Sequence, residues 1–198
     1  MKTIEHSIHE FEIQKSKFIC CIKSVHNENE AKNFIESIKN KYPDATHYCY
    51  SYIIDNIKRF QDDGEPSGTA GMPILYVLES NNLQHIIAIV VRYFGGIKLG
   101  AGGLVRAYTN SVSECIYSSQ IIELEKCQII DIYFDYSNIK QIEYLLQNYT
   151  ILKKEFGEKI LFKIATEDKS INTLIDLLKP IIDSYVIKKQ ITYIKKSG

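Results

Sequence analysis

Apolar and polar positions change period several times along the chain, and each change marks an element. Residues 4–13 and 17–25 have strand character and predict two strands joined by a turn at Lys15-Ser16-Lys17. From Asn27 the period becomes helical. Ala31, Phe34, Ile35 and Ile38 share one face, Asn27 with Glu30 forms a capping box, and Pro43 marks the exit. Residues 46–55 then alternate strictly. Tyr48, Tyr50, Tyr52 and Ile54 point one way and His47, Cys49, Ser51 and Ile53 the other. The tyrosine side reads as a core layer or a stacking platform, and the core reading is taken because aromatics are common in strands. The stretch MPILYVLES predicts a helix capped by Ser67 or Thr69, with Pro73 in its first turn. Residues 84–93 are apolar enough for a strand central in its sheet. A helix follows from about 103 to 118, with Leu104, Tyr108, Ser111 and Cys115 on one face.

Near 123–126 the pattern restarts. A strand carries Ile130, Ile132, Phe134 and Tyr136 on one face, and Ser137 or Asn138 caps a helix bearing Ile139, Ile142, Leu145 and Tyr149. Strands 150–156 and 159–165 join at Gly157-Glu158, a helix covers 170–178, and a last strand covers 185–194. That strand puts Tyr185, Ile187, Ile191 and Tyr193 on one face. The order βαββαβ is the split βαβ, ferredoxin-like arrangement. The expected fold class is therefore α+β with two domains, residues 1–124 and 125–198.

Between positions 59 and 108 the composition changes. Eight of the ten glycines and all three arginines, Arg59, Arg92 and Arg106, lie there, while the other 21 basic residues are lysines. The glycines form two blocks, RFQDDGEPSGTAGMPIL and VVRYFGGIKLGAGGLVRAY, each directly before a predicted helix. A helix start presents unpaired N–H groups and about half a positive charge, and a glycine lead-in exposes them to an anion. Arginine adds a planar, permanently charged fork suited to phosphate. The candidate anion-binding residues are Arg59, Gly68, Thr69, Arg92, Gly95, Gly96, Lys98, Gly102, Gly103 and Arg106. If both helices pack on one face of one sheet, their starts frame a cleft. The blocks match neither a P-loop nor a dinucleotide-binding fingerprint. A plainer reading makes the glycines turns and pairs the arginines with Asp62, Asp63 or Glu65.

His47 with Asp62, Asp63 and Glu65 is a second candidate, a functional loop able to supply a base or hold a divalent cation. Its spacing matches no recognised ligand pattern, and DDGE also has turn composition. No metal or cofactor is assigned. Ser67 and Cys49 lack any nucleophile signature, and His6, His9, His26 and His85 read as surface or structural.

Net charge is zero, but residues 1–125 hold 12 Lys and Arg against 15 Asp and Glu, and residues 126–198 hold 12 against 9. Neither part is basic enough to signal nucleic-acid binding, so any such contact needs a local patch. Lys188, Lys189, Lys195 and Lys196 read as a solvated strand and tail. No apolar run approaches the roughly 20 residues of a membrane helix, and residues 1–10 lack the core of a signal peptide. Five cysteines without C-x-x-C point to free thiols and a cytoplasmic location.

The strings DATHYCYSY, RFQDDGEPSGTAGMPIL and VVRYFGGIKLGAGGLVRAY together resemble the signature of the IMPACT family, in its bacterial, YigZ-like branch. The resemblance implies an N-terminal α/β sandwich like a ribosomal-protein domain and the fourth domain of elongation factor G. It implies a C-terminal domain like that factor's ferredoxin-like fifth domain. The family's eukaryotic members regulate translation through protein partners in the starvation response. The expected function is regulation of translation, with RNA or the ribosome as ligand and a protein partner in addition, and no reaction comes with the resemblance. The alternatives are an enzyme acting on a phosphorylated small molecule or nucleotide, and a protein-interaction module with no anion ligand.

Overall fold

The computed structural model of the chain describes residues 1–195. Lys196, and the side chains of Lys189, Ile191 and Lys195, lie outside the described residues. The fold is mixed α+β, with two sheets and five helices, and divides into one unit at Met1–Glu123 and a second from Leu124 onward.

In the first unit the strands are β1 (Lys2–Ile4), β2 (His6–Ile13), β3 (Ser16–Ser24), β4 (His47–Ile54), β5 (Ile57–Gln61) and β6 (Ile86–Tyr93). The helices are α1 (Glu28–Lys41), α2 (Gly71–Ser80) and α3 (Gly100–Tyr117). Five of the strands form one antiparallel sheet in the order β2-β3-β6-β4-β5. The apolar run of β6 makes it the centre, because both its faces are covered. Ile86, Ala88 and Val90 enter one core with α2 and α3, while Ile87, Ile89 and Val91 enter another with α1. The alternation along β4 divides the same way: Cys49 and Ile53 face α2 and α3, and Tyr52 and Ile54 face the α1 side. Helix α1 is capped by Asn27, whose Oδ1 accepts from the Glu30 amide, while Glu30 Oε2 accepts from the His26 amide, one residue before the N-cap amide that a strict capping box engages.

Four details depart from the sequence reading. The first expected strand is interrupted at Glu5, and its first part, β1, pairs with residues 121–123. The β2–β3 turn centres on Gln14 and Lys15, with φ of 46° and 62°, rather than on Ser16. The edge strand β5 was not expected. Helix α3 begins at Gly100, so Gly102 and Gly103 lie inside its first turn and not before it.

The second unit takes up β7 (Ile121–Phe134), followed by α4 (Ile139–Leu145), β8 (Thr150–Phe156), β9 (Ile160–Thr166), α5 (Ile171–Leu178) and β10 (Ser184–Lys195). The order of elements is β-α-β-β-α-β, and the strands lie antiparallel in the order β10-β7-β9-β8. Ile142 and Leu146 from the first helix region, and Ile171, Leu174 and Leu178 from α5, share one core with Ile130, Ile132, Phe134, Ile160, Phe162 and Ile164.

Candidate functional site

The loop between β5 and α2 closes on itself through three carboxylates. Asp62 Oδ1 accepts from the amides of Ala70 at 3.0 Å and Gly71 at 2.8 Å, and its Oδ2 accepts from Gly68 at 2.8 Å. Neither Ser67 nor Thr69 caps α2. The N-cap residue is Ala70, and Asp62, eight residues earlier, supplies the negative group that the helix start attracts. Thr69 is buried and its hydroxyl donates to the Pro66 carbonyl. Asp63 Oδ2 accepts from the Tyr48 amide at 2.7 Å, and its carbonyl receives His47 Nδ1 at 2.8 Å. A carbonyl only accepts, so Nδ1 carries a proton, and Nε2 lies 3.9 Å from Glu65 Oε1.

Glu65 is the third carboxylate, and it is buried. Its Oε1 accepts from Arg92 Nη1 at 2.6 Å and from the Tyr108 hydroxyl at 2.8 Å. The Cys49 thiol stands 3.2 Å from that hydroxyl and 2.9 Å from the Asp62 carbonyl. Burial pushes both the Cys49 thiol and the Tyr108 phenol far up, so both stay protonated and Cys49 is no thiolate nucleophile. Arg92 is 4% exposed, within cation–π distance of Phe18 and Phe94, and only its Nε lacks a hydrogen-bond partner. Removing one member of a buried ion pair typically costs 3–5 kcal/mol, so this pair is a fixed part of the fold.

The second glycine block differs. Gly95 packs so closely that a Cβ there would lie 2.0 Å from the Lys15 carbonyl group, and its amide donates to Ser16 Oγ. After Gly96 the chain reaches α3, whose N-cap residue, Leu99, offers no side-chain acceptor, and whose first turn holds no acidic residue. Lys98, Gly102 and Arg106 are exposed, and Arg106 Nη1 lies 3.7 Å from where a Gly102 Cβ would stand. The guanidinium therefore folds back over the first turn of the helix, as side chains of helices do.

The three arginines do not meet. Strand pairing sets Arg59 opposite Tyr52, on the α1 side of the sheet, and Arg92 opposite Phe18, on the α2–α3 side. Arg106 stands on the exposed side of α3. The helix starts and Arg59 thus do not line one cleft. Among the described residues no group of three His, Cys, Asp or Glu is placed to hold a metal ion. The three acidic side chains of the loop already serve backbone amides and Arg92.

The Impact N-terminal domain model matches residues 14–116. Over 196 residues the chain is 41% identical to IMPACT family member YvyE of Bacillus subtilis (strain 168), covering 96% of this chain and 90% of that one. The chain belongs to the IMPACT family. Its identity to IMPACT family member YigZ of Escherichia coli (strain K12) is 36% over 163 residues, 78% of this chain and 79% of that one. The solved structure of a hypothetical protein shares 29% identity and a TM-score of 0.70, across 96% of this chain and 98% of the other.

In this IMPACT family chain the first block is thus an internally satisfied loop, and the second ends in an open helix start. Sequence reasoning missed Tyr108, Ser16 and Cys49 as parts of the polar cluster. Tyr108 gave one signal: a phenol on the buried face of an amphipathic helix needs a partner for its hydroxyl.

Proposed function

We propose that this IMPACT family protein regulates translation by binding RNA or a ribosomal surface through the start of α3. The observation that carries the reading is the contrast between the two helix starts. Asp62 fills that of α2, whereas that of α3 is uncapped, exposed and flanked by Lys98 and Arg106. Gly102 and Gly103, within the first turn, let a phosphate approach the backbone. Family membership supports the setting, since the eukaryotic members to which the sequence is similar act on translation. The element order of the second unit supports reading residues 125–198 as a ferredoxin-like domain beside the IMPACT-type domain, 1–124. A cytoplasmic location is supported by five free, buried cysteines, and among the described residues no helix is long and apolar enough to cross a membrane.

The test is binding of the purified protein to ribosomes and transfer RNA across a salt series, beside Lys98→Ala/Arg106→Ala. Loss of two phosphate contacts lowers the slope of log affinity against log salt by about 1.4–1.8. Absence of binding at low salt, or an unchanged slope in the variant, refutes the reading.

A further inference from the structure

Helix α1 does not cover the whole of its face of the sheet. Tyr52 is 7% exposed and belongs to the core, but Tyr48, Tyr50 and Ile57 are only half-buried, and Arg59 and Gln61 beside them are exposed. Pairing places Tyr50 opposite Gln61 and Tyr52 opposite Arg59, so these side chains share one strip along β4 and β5. The rings of Tyr50 and Tyr52 lie parallel, 4° apart in plane with centroids at 6.4 Å. Two rings are anchored by their hydroxyls: Tyr48 donates to the Tyr42 carbonyl at 2.6 Å and Tyr52 to Glu28 Oε1 at 2.7 Å. Tyr48 and Tyr52 are thus fixed in orientation and Tyr50 stacks on Tyr52, which lowers the ordering cost of using the strip.

Its charges favour an anionic strand. The Arg59 guanidinium bonds only the neighbouring Lys58 carbonyl, and it has no carboxylate partner among the described residues. Lys39 stands 5.9 Å over the Tyr48 ring, also without one. Two carboxylates at the strip each hold a neutral donor, Glu28 the Tyr52 hydroxyl and Asp63 the Tyr48 amide. Cations without carboxylate partners beside half-buried aromatic rings are elements of single-strand recognition, in which bases stack and cations follow the phosphates. We infer that the β4–β5 strip is a stacking platform for single-stranded RNA, with Tyr50 and Tyr48 taking bases and Arg59 and Lys39 taking phosphates. This inference rests on the RNA reading above but uses a different surface.

The experiment is fluorescence anisotropy with a labelled oligouridylate of about twelve nucleotides across a salt series. Tyr50→Ala weakens binding at least about fivefold, whereas Tyr50→Phe keeps the ring and most of the affinity. Arg59→Ala and Lys39→Ala, on exposed side chains that leave the core intact, each lower the salt slope by about 0.7. Wild-type failure to bind the oligonucleotide, wild-type affinity in Tyr50→Ala, or unchanged slopes in both cation variants overturns the platform. So does competition by a proline-rich peptide but not by unlabelled RNA. Lys98→Ala/Arg106→Ala tested on ribosomes reports separately, so the α3 reading can stand where the platform fails, or fail where it stands.

Discussion

Asp62→Ala should cost far more than a surface change, because one carboxylate satisfies three amides at the start of α2. Hydrogen bonds to a charged group contribute about 1.5–3 kcal/mol each, and losing a helix cap costs about 0.5–2 kcal/mol. Gly68 is exposed, so water replaces Asp62 there, while the amides of buried Ala70 and Gly71 lose more. The three bonds also share one half-buried group, so they do not sum. We expect a loss of about 3 kcal/mol, and at this chain length roughly 6–12 °C in Tm. Asp62→Asn keeps one acceptor oxygen but loses the charge, and should lose about half as much. Urea unfolding followed by circular dichroism measures both. The variant also exposes a helix start that is closed in the wild type. Sulfate or phosphate should then restore part of the lost stability, beyond its effect on the wild type, where chloride does not. A loss below about 0.5 kcal/mol, or no selective anion effect, would refute Asp62 as the internal anion of this helix.

Three other outcomes follow from the same geometry. Glu65→Ala and Arg92→Ala should each destabilise by about 3–5 kcal/mol, and the double variant by clearly less than their sum, as a urea double-mutant cycle would show. Gly95→Ala drives a Cβ to 2.0 Å from the Lys15 backbone and should cost about 3 kcal/mol or more; Gly96→Ala, with open space but φ of 84°, should cost only about 1–2 kcal/mol. His85 is buried, and desolvation lowers its pKa from the usual 6.5 against the pull of Asp55. The unfolded chain therefore takes up the proton first, and stability is full above about pH 6.5 and declines as pH falls toward the lowered folded value. His85→Asn, tolerated at its φ of 52°, should flatten that decline in a series of urea midpoints.

Most of the framework was legible because its periods are clean. The unbroken apolar run 86–91 foretold a strand covered on both sides, and its alternate residues do feed two separate cores. The Asn27 cap and the α1 face were equally plain. Strand β5 was not legible: it is five residues long, at an edge, and four of the five are exposed, so burial left no pattern in IKRFQ. The start of α3 was misplaced by three residues because Gly100-Ala101-Gly102-Gly103 has neither a capping side chain nor a periodic apolar residue to mark it.

The site was legible in composition and illegible in direction. Arg59, Arg92 and Arg106 cluster in sequence, but a strand sends alternate residues to opposite faces, and only the register separates Arg59, opposite Tyr52, from Arg92, opposite Phe18. Nor could the sequence choose which acid meets Arg92, since Asp62, Asp63 and Glu65 lie within four positions. Side-chain reach and burial decide it. The shorter carboxylates turn back on neighbouring amides, where even partial exposure leaves them adequate, and the longer Glu65 reaches the buried guanidinium and Tyr108. Asp62 and Glu65 each remove one positive group, the α2 start and Arg92, from those open to a ligand. What escapes is the α3 start with Lys98 and Arg106, and Arg59 on the opposite face. An anionic ligand that used all three arginines together would contradict this arrangement, and a single strand or ribosomal surface contacting the two exposed ones separately would not.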